Sequence, residues 1–163
     1  MTEFVPLLRA LAHSKVQFIL IGGVAATAHG SSRLTLDIDI VYSREKRNIS
    51  LLVAALSPFK PYPRGAPPGL PFKWDEPTLS RGLNFTLTTT SGPLDLFGEI
   101  VGGGTYEALI SDTIDLHIFG IHCACLSLRK LIAVKKAAGR PKDLESIAEL
   151  EAILEERENE EDA

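Results

Sequence analysis

The spacing of apolar and polar positions changes several times along the chain, and each change predicts an element. Residues 3 to 13, EFVPLLRALAH, place apolar side chains at helical spacing and predict a short opening helix. Residues 16 to 21, VQFILI, are continuously apolar and rich in β-formers, which predicts a buried strand. Gly22-Gly23 then turns the chain, and VAATAHG predicts a small-residue helix that stops near Gly30. LTLDIDIVY, 34 to 42, is expected to be a strand, and residues 44 to 56 an amphipathic helix.

The pattern then breaks. PFKPYPRGAPPGLP, 58 to 71, holds most of the prolines and predicts a loop without regular structure. Its length favours a functional or mobile loop. LNFTLTTT (83 to 90), a Ser91-Gly92-Pro93 turn and LDLFGEI (94 to 100) predict a hairpin. TYEALI reads as one helical turn, and TIDLHIFG and IHCACL as two further strands. LSLRKLIAVKKAAG predicts a helix capped by Ser127 and ended by Gly139. After Pro141, KDLESIAELEAILEERE predicts a last, long helix. The expected fold class is α/β (α+β): one domain over residues 1 to 154, a mixed β-sheet with helices packed on it and two helices at the C-terminal end. Residues 155 to 163 are expected to be an acidic, frayed tail.

Charge and cysteine usage sharpen this picture. The net charge is −4, yet EERENEED (155 to 162) alone carries −5, so the rest of the chain is nearly neutral. Within that rest, residues 126 to 142 hold six basic side chains and no acid, which suits either a solvated helix face or a phosphate-binding surface. No apolar run approaches the roughly 18 residues of a membrane span. Glu3 and the lack of a basic stretch before an apolar run argue against a signal peptide, so a cytoplasmic protein is expected. Cys123 and Cys125 alternate in a strand and are expected on one buried face rather than in a metal site with His122. His29, His117 and His122 show no ligand spacing.

The chemistry lies in three carboxylates. Asp37 and Asp39 share one face of the expected strand, with Leu34, Leu36, Ile38 and Ile40 on the other. Two carboxylates side by side repel, and burial without partners costs several kcal/mol or a protonation. A divalent cation removes the conflict, and Mg²⁺ prefers oxygen ligands. Asp95 stands between Leu94 and Leu96 in a second apolar strand, so a sheet that joins the strands would gather three acids. Two metals roughly 3.5–4 Å apart can then assist phosphoryl or nucleotidyl transfer. The Gly22-Gly23 junction before a helix would let backbone N–H groups approach a phosphate.

An apolar strand, Gly-Gly, a dozen residues, D-x-D and a later strand Asp together resemble the nucleotidyltransferase superfamily of DNA polymerase β type. IGGVAATAHGSSRLTLDIDIV resembles its signature. LSLRKLIAVKKAAGRPKDLESIAEL, 126 to 150, resembles small prokaryotic members that include AbiEii-type toxins of toxin–antitoxin and phage-abortive systems. The resemblance spans about residues 16 to 150. It implies a minimal nucleotidyltransferase fold and transfer of a nucleoside monophosphate from an NTP to a hydroxyl acceptor, assisted by two Mg²⁺ ions. It implies that Gly22 and Gly23 hold the triphosphate, that Asp37 and Asp39 bind both metals, and that Asp95 binds one and helps deprotonate the acceptor. Lys135 would face the phosphates, with Arg33 and Lys142-Asp143 in support. The acceptor would be an RNA end, a protein or a small molecule, an antitoxin would be the partner, and no membrane is involved.

Three other readings compete. DIDIV is similar to the D-x-D-x-[TV] motif of haloacid-dehalogenase-type phosphatases, whose aspartates end the first strand. The fold could serve without catalysis, as a nucleotide-binding or protein-interaction module. The basic helix could serve a nucleic-acid-binding module, against which the acidic balance of the chain argues. Trp74 and Tyr62, near or in the proline-rich loop, are the aromatics with scope for base stacking.

Overall fold

The computed structural model describes residues 4–35 and 37–162. Glu3, Leu36 and Ala163, which the expected elements include, lie outside them.

Most elements follow from the periodicity. They are α1 (Val5–His13), β1 (Phe18–Ile21), α2 (Gly22–Ala28), β2 (Ile38–Tyr42), α3 (Lys46–Leu56), β3 (Tyr62–Pro63), α4 (Glu76–Arg81), β4 (Asn84–Thr89) and β5 (Gly92–Phe97). There follow β6 (Glu99–Ile100), β7 (Gly104–Thr105), α5 (Tyr106–Leu109), β8 (Thr113–Ile118), β9 (Ile121–Leu126), α6 (Leu128–Ala138) and α7 (Leu144–Glu161).

Seven strands form one mixed sheet in the order β3-β4-β5-β2-β1-β9-β8. β1 runs antiparallel to β2 and parallel to β9, and β2 runs parallel to β5. β6 and β7 form a separate two-stranded ribbon. All four residues of β1 are buried, as a continuous apolar strand in the middle of a sheet covered on both faces requires. Helices α1, α3 and α4 pack in sequence on one another, and α2, α6 and α7 do likewise.

The expected caps of α6 are present. The Ser127 side chain accepts a hydrogen bond from the Lys130 N–H, and Gly139 closes the helix in the left-handed conformation at φ 65°. Cys123 and Cys125 are free and buried together, as the strand alternation predicts.

Four expectations need correction. The strand expected over 34 to 42 begins at Ile38. Ser31, Ser32 and Arg33 bond to Glu149 of α7 instead of to a neighbouring strand, and Leu34 is 89% exposed. The proline-rich loop is not wholly irregular, because Tyr62–Pro63 pairs with β4 as the short edge strand β3. α4 was not foreseen, although Asp75 caps it by accepting from the Thr78 N–H and a proline sits in its first turn. The acidic stretch forms the last turns of α7. There Arg157 donates to the His29 carbonyl at 2.7 Å and to His29 Nδ1 at 3.2 Å.

Candidate active site

The parallel register of β2 and β5 places Asp39 directly beside Asp95. Side chains of laterally paired residues share a face, so both carboxylates leave the sheet on the same side. Asp37 stands one residue before β2, at the mouth of the strand rather than inside it. Burial, then the charge of Asp95, a hydrogen bond to it, and the charge of Asp37 push the Asp39 carboxyl up to about 7. Three acids have thus been gathered with too little positive charge to balance them.

Gly22 makes this arrangement possible. It has φ +70°, and a Cβ there would meet Asp39 Oδ2 at 2.1 Å. A Cβ on Gly23 would meet Thr35 Oγ1 at 2.6 Å. The glycine pair therefore makes room for the acidic segment on two sides, a requirement separate from any phosphate.

The carboxylates open into a cleft of about 520 Å³. Its lining includes Gly22, Asp37, Asp39 and Asp95, and, from α6 and the turn that follows it, Lys135, Arg140 and Lys142. Apolar surface comes from Phe97, Leu131 and Val134. The β6–β7 ribbon closes one side, with Gly102 pressed so near α6 that a Cβ would lie 2.3 Å from that of Ala137. Lys135 is only 13% exposed, and its Nζ lies 4.0 Å from Asp143, which also accepts from Arg140 Nε at 2.7 Å. The buried Asp143 thereby orients two cations toward one cleft.

Of the residues singled out in the sequence, Asp37, Asp39, Asp95, Gly22, Lys135 and Lys142 come together. Arg33 and Gly23 do not line the cleft: Arg33 is tied to Glu145 at 3.1 Å and to Glu149 at 3.8 Å. Arg64, Arg140 and Glu99 were missed as site residues. Arg64 reaches from the proline-rich loop to Asp95 Oδ1 and to the Leu87 carbonyl, both at 2.7 Å. It is the cation that faces the acidic pair, and a loop without periodicity gave no sign of it. Tyr62 and Trp74 are occupied structurally. Tyr62 donates to the Pro67 carbonyl and stacks edge-on with Phe72, and Trp74 Nε1 donates to the Val53 carbonyl at 3.0 Å.

The acidic pair suits a hard cation on chemical grounds. It offers oxygen donors from adjacent strands and an unbalanced charge that a cation would offset. Asp37, one residue before β2, would complete such a site. The phosphatase pattern is not met, because the aspartates start the second strand instead of ending the first.

No family model matches the chain, and no curated protein matches it. Among solved structures it is similar to one described as a "putative nucleotidyltransferase" from Thermotoga maritima. The two share 15% identity and a TM-score of 0.58 over 90% of this chain and 91% of that one. At this identity the likeness speaks for the fold alone: a mixed sheet with flanking helices and a C-terminal helix pair.

Proposed function

We propose that the chain transfers a nucleoside monophosphate from an NTP to a hydroxyl acceptor, with Mg²⁺ held by Asp39, Asp95 and Asp37. One observation carries the reading: a single cleft is lined on one side by the registered pair Asp39/Asp95 and on another by Lys135, Arg140 and Lys142. That charge pattern fits a metal–triphosphate, whose cation and phosphates have opposite needs. Two bound Mg²⁺ ions would supply charge neutralisation at the reacting phosphate. The residues of the chain do the rest. Lys135, Arg140 and Lys142 would bind the phosphates. Phe97, Leu131 and Val134 offer apolar surface to a base or sugar. Asp95 would accept the proton of the acceptor hydroxyl. Gly22 keeps Asp39 in position.

The test is calorimetric titration with each of the four NTPs, with and without Mg²⁺, on the wild-type chain and on Asp39→Asn and Asp37→Asn. The expected result is Mg²⁺-dependent binding that weakens at least tenfold in Asp39→Asn, with loss of transfer in both variants and retained fold. Binding that ignores Mg²⁺ and Asp39 would refute the metal site.

One observation favours a second reading, a nucleotide-binding module without transfer. The Arg64 guanidinium already compensates Asp95. Mg²⁺–NTP binding with no transfer to any acceptor, in wild type and in Arg64→Ala alike, would select it. The acceptor class, an RNA end, a protein or a small molecule, belongs to the same proposal. So does a toxin role with an antitoxin partner, which rests on the resemblance of residues 126 to 150. Growth arrest on expression that disappears in Asp39→Asn would support that role.

A further inference from the structure

A second cluster of ligating groups lies on the edge hairpin, outside the cleft. β8 and β9 pair antiparallel, with His117 directly opposite His122 and Asp115 opposite Ala124. Asp115, His117 and His122 therefore share one face of the hairpin. Their ligating atoms all lie within 4.8 Å of one another. Asp115 Oδ2 is 2.5 Å from His122 Nε2 and 3.7 Å from His117 Nε2, and the two imidazole rings stand 4.0 Å apart.

We infer that these three side chains form a binding site for a borderline divalent transition-metal ion, Zn²⁺ being the representative. Two imidazoles and one carboxylate are the donor set that Zn²⁺ accepts, with a remaining position open to water or a further ligand. With Zn–N and Zn–O distances of about 2.0–2.2 Å, tetrahedral ligands sit roughly 3.3–3.6 Å apart. The separations found here bracket that value, so modest side-chain rotation suffices. All three side chains are more than half exposed, so the ion can enter from solvent and the ligands can turn. The register is fixed by a two-residue turn, Phe119 at φ 53° and Gly120 at φ 72°, which holds both histidines opposite each other before any ion arrives.

The two sites differ in chemistry and place. The cleft offers oxygen donors suited to Mg²⁺, and the hairpin offers imidazole nitrogens, which Mg²⁺ disfavours. Both lie on the same face of the sheet, through the laterally paired residues Asp39, Ile21, Ile19, Ala124 and His122. His122 is nevertheless two strands and four residue rows from Asp39, roughly 16 Å at ordinary strand spacings. The neighbouring thiols do not compete. Cys123 and Cys125 point to the buried face, and burial pushes them up to about 11 and about 12.

The experiment is Zn²⁺ titration of the untagged, metal-stripped full chain by calorimetry, with Co²⁺ absorption as a second readout. Wild type is expected to bind one Zn²⁺ in the micromolar range or tighter. His117→Ala and His122→Ala should each weaken binding at least tenfold, and the double variant should abolish it. Asp39→Asn and Cys123→Ser should bind as wild type does. Circular dichroism establishes that each variant is folded, and His122→Gln keeps the size of the side chain if the alanine variant is not. The inference is overturned if wild type binds no Zn²⁺, if the double variant binds as wild type, or if Cys123→Ser alone removes the site. The outcome is independent of whether the cleft takes an NTP.

Discussion

Among single residues, Asp39 has the most measurable consequences. Its carboxyl sits at about 7 in the fold, against about 3.9 in an unfolded chain. The folded protein keeps a proton there that the unfolded chain releases. The associated stability is complete below about pH 4 and is lost as pH rises through 7. Asp39→Asn has no charge to relieve. In metal-free buffer the variant should therefore melt several degrees above wild type at pH 8 and close to it at pH 4, at about 2–4 °C per kcal/mol for a chain of this size. Taking the difference removes His29, which burial depresses and whose contribution runs the other way. Equal differences at both pH values would show that Asp39 is ionised without strain. Saturating Mg²⁺ should narrow the gap at pH 8, because the cation takes over the role of the proton.

Elements explain which parts of this site could be read from residue order. The Asp39 and Asp95 strands carry strong apolar periodicity, which predicts each strand but not their parallel pairing across 56 positions. The start of β2 did not follow, because Leu34 continues the alternation while Ser31, Ser32 and Arg33 find better partners on α7. α4 buries only Leu79, too little for a periodic signal, and its cap was the sole clue. His117 and His122 are five apart, a spacing meaningless on one strand. It becomes a cross-strand pair once Phe119-Gly120 is recognised as a two-residue turn, so the signal was present as a turn and not as a motif. Arg64 had no such clue. Glu149 tests the element-level account. It accepts from Ser31 Oγ at 2.6 Å and from the Ser32 N–H at 3.2 Å, which holds its carboxyl below the usual range. Glu149→Ala should release the segment that leads into Asp37. Thermal stability should stay near wild type, while Mg²⁺–NTP affinity falls severalfold. Unchanged affinity would mean that Asp37 is positioned by β2 alone.

For the molecule as a whole, the C-terminal stretch joins parts that the sequence separates widely. His29 Nε2 lies 2.8 Å from the Leu126 carbonyl, which can only accept, so the proton is on Nε2 and the Nδ1 lone pair receives Arg157. One neutral imidazole thus links α2, β9 and α7. Arg129 also pairs with Glu158 across α6 and α7. Removing residues 155 to 163 strips the buried His29 of Arg157 and of the two hydrogen bonds it donates, which costs about 1–3 kcal/mol. The melting temperature should fall by several degrees, and an unchanged value would make these residues an appendage. The pairing of Asp39 with Asp95 carries a further consequence, in time rather than in space. The two acids are 56 positions apart and meet only across a parallel pair of strands. Such contacts close late, after the cost of a long loop has been met. On the proposed reading, the acidic pair that would take a hard cation forms only when the central sheet is complete, so a nascent or partly unfolded chain would be chemically silent.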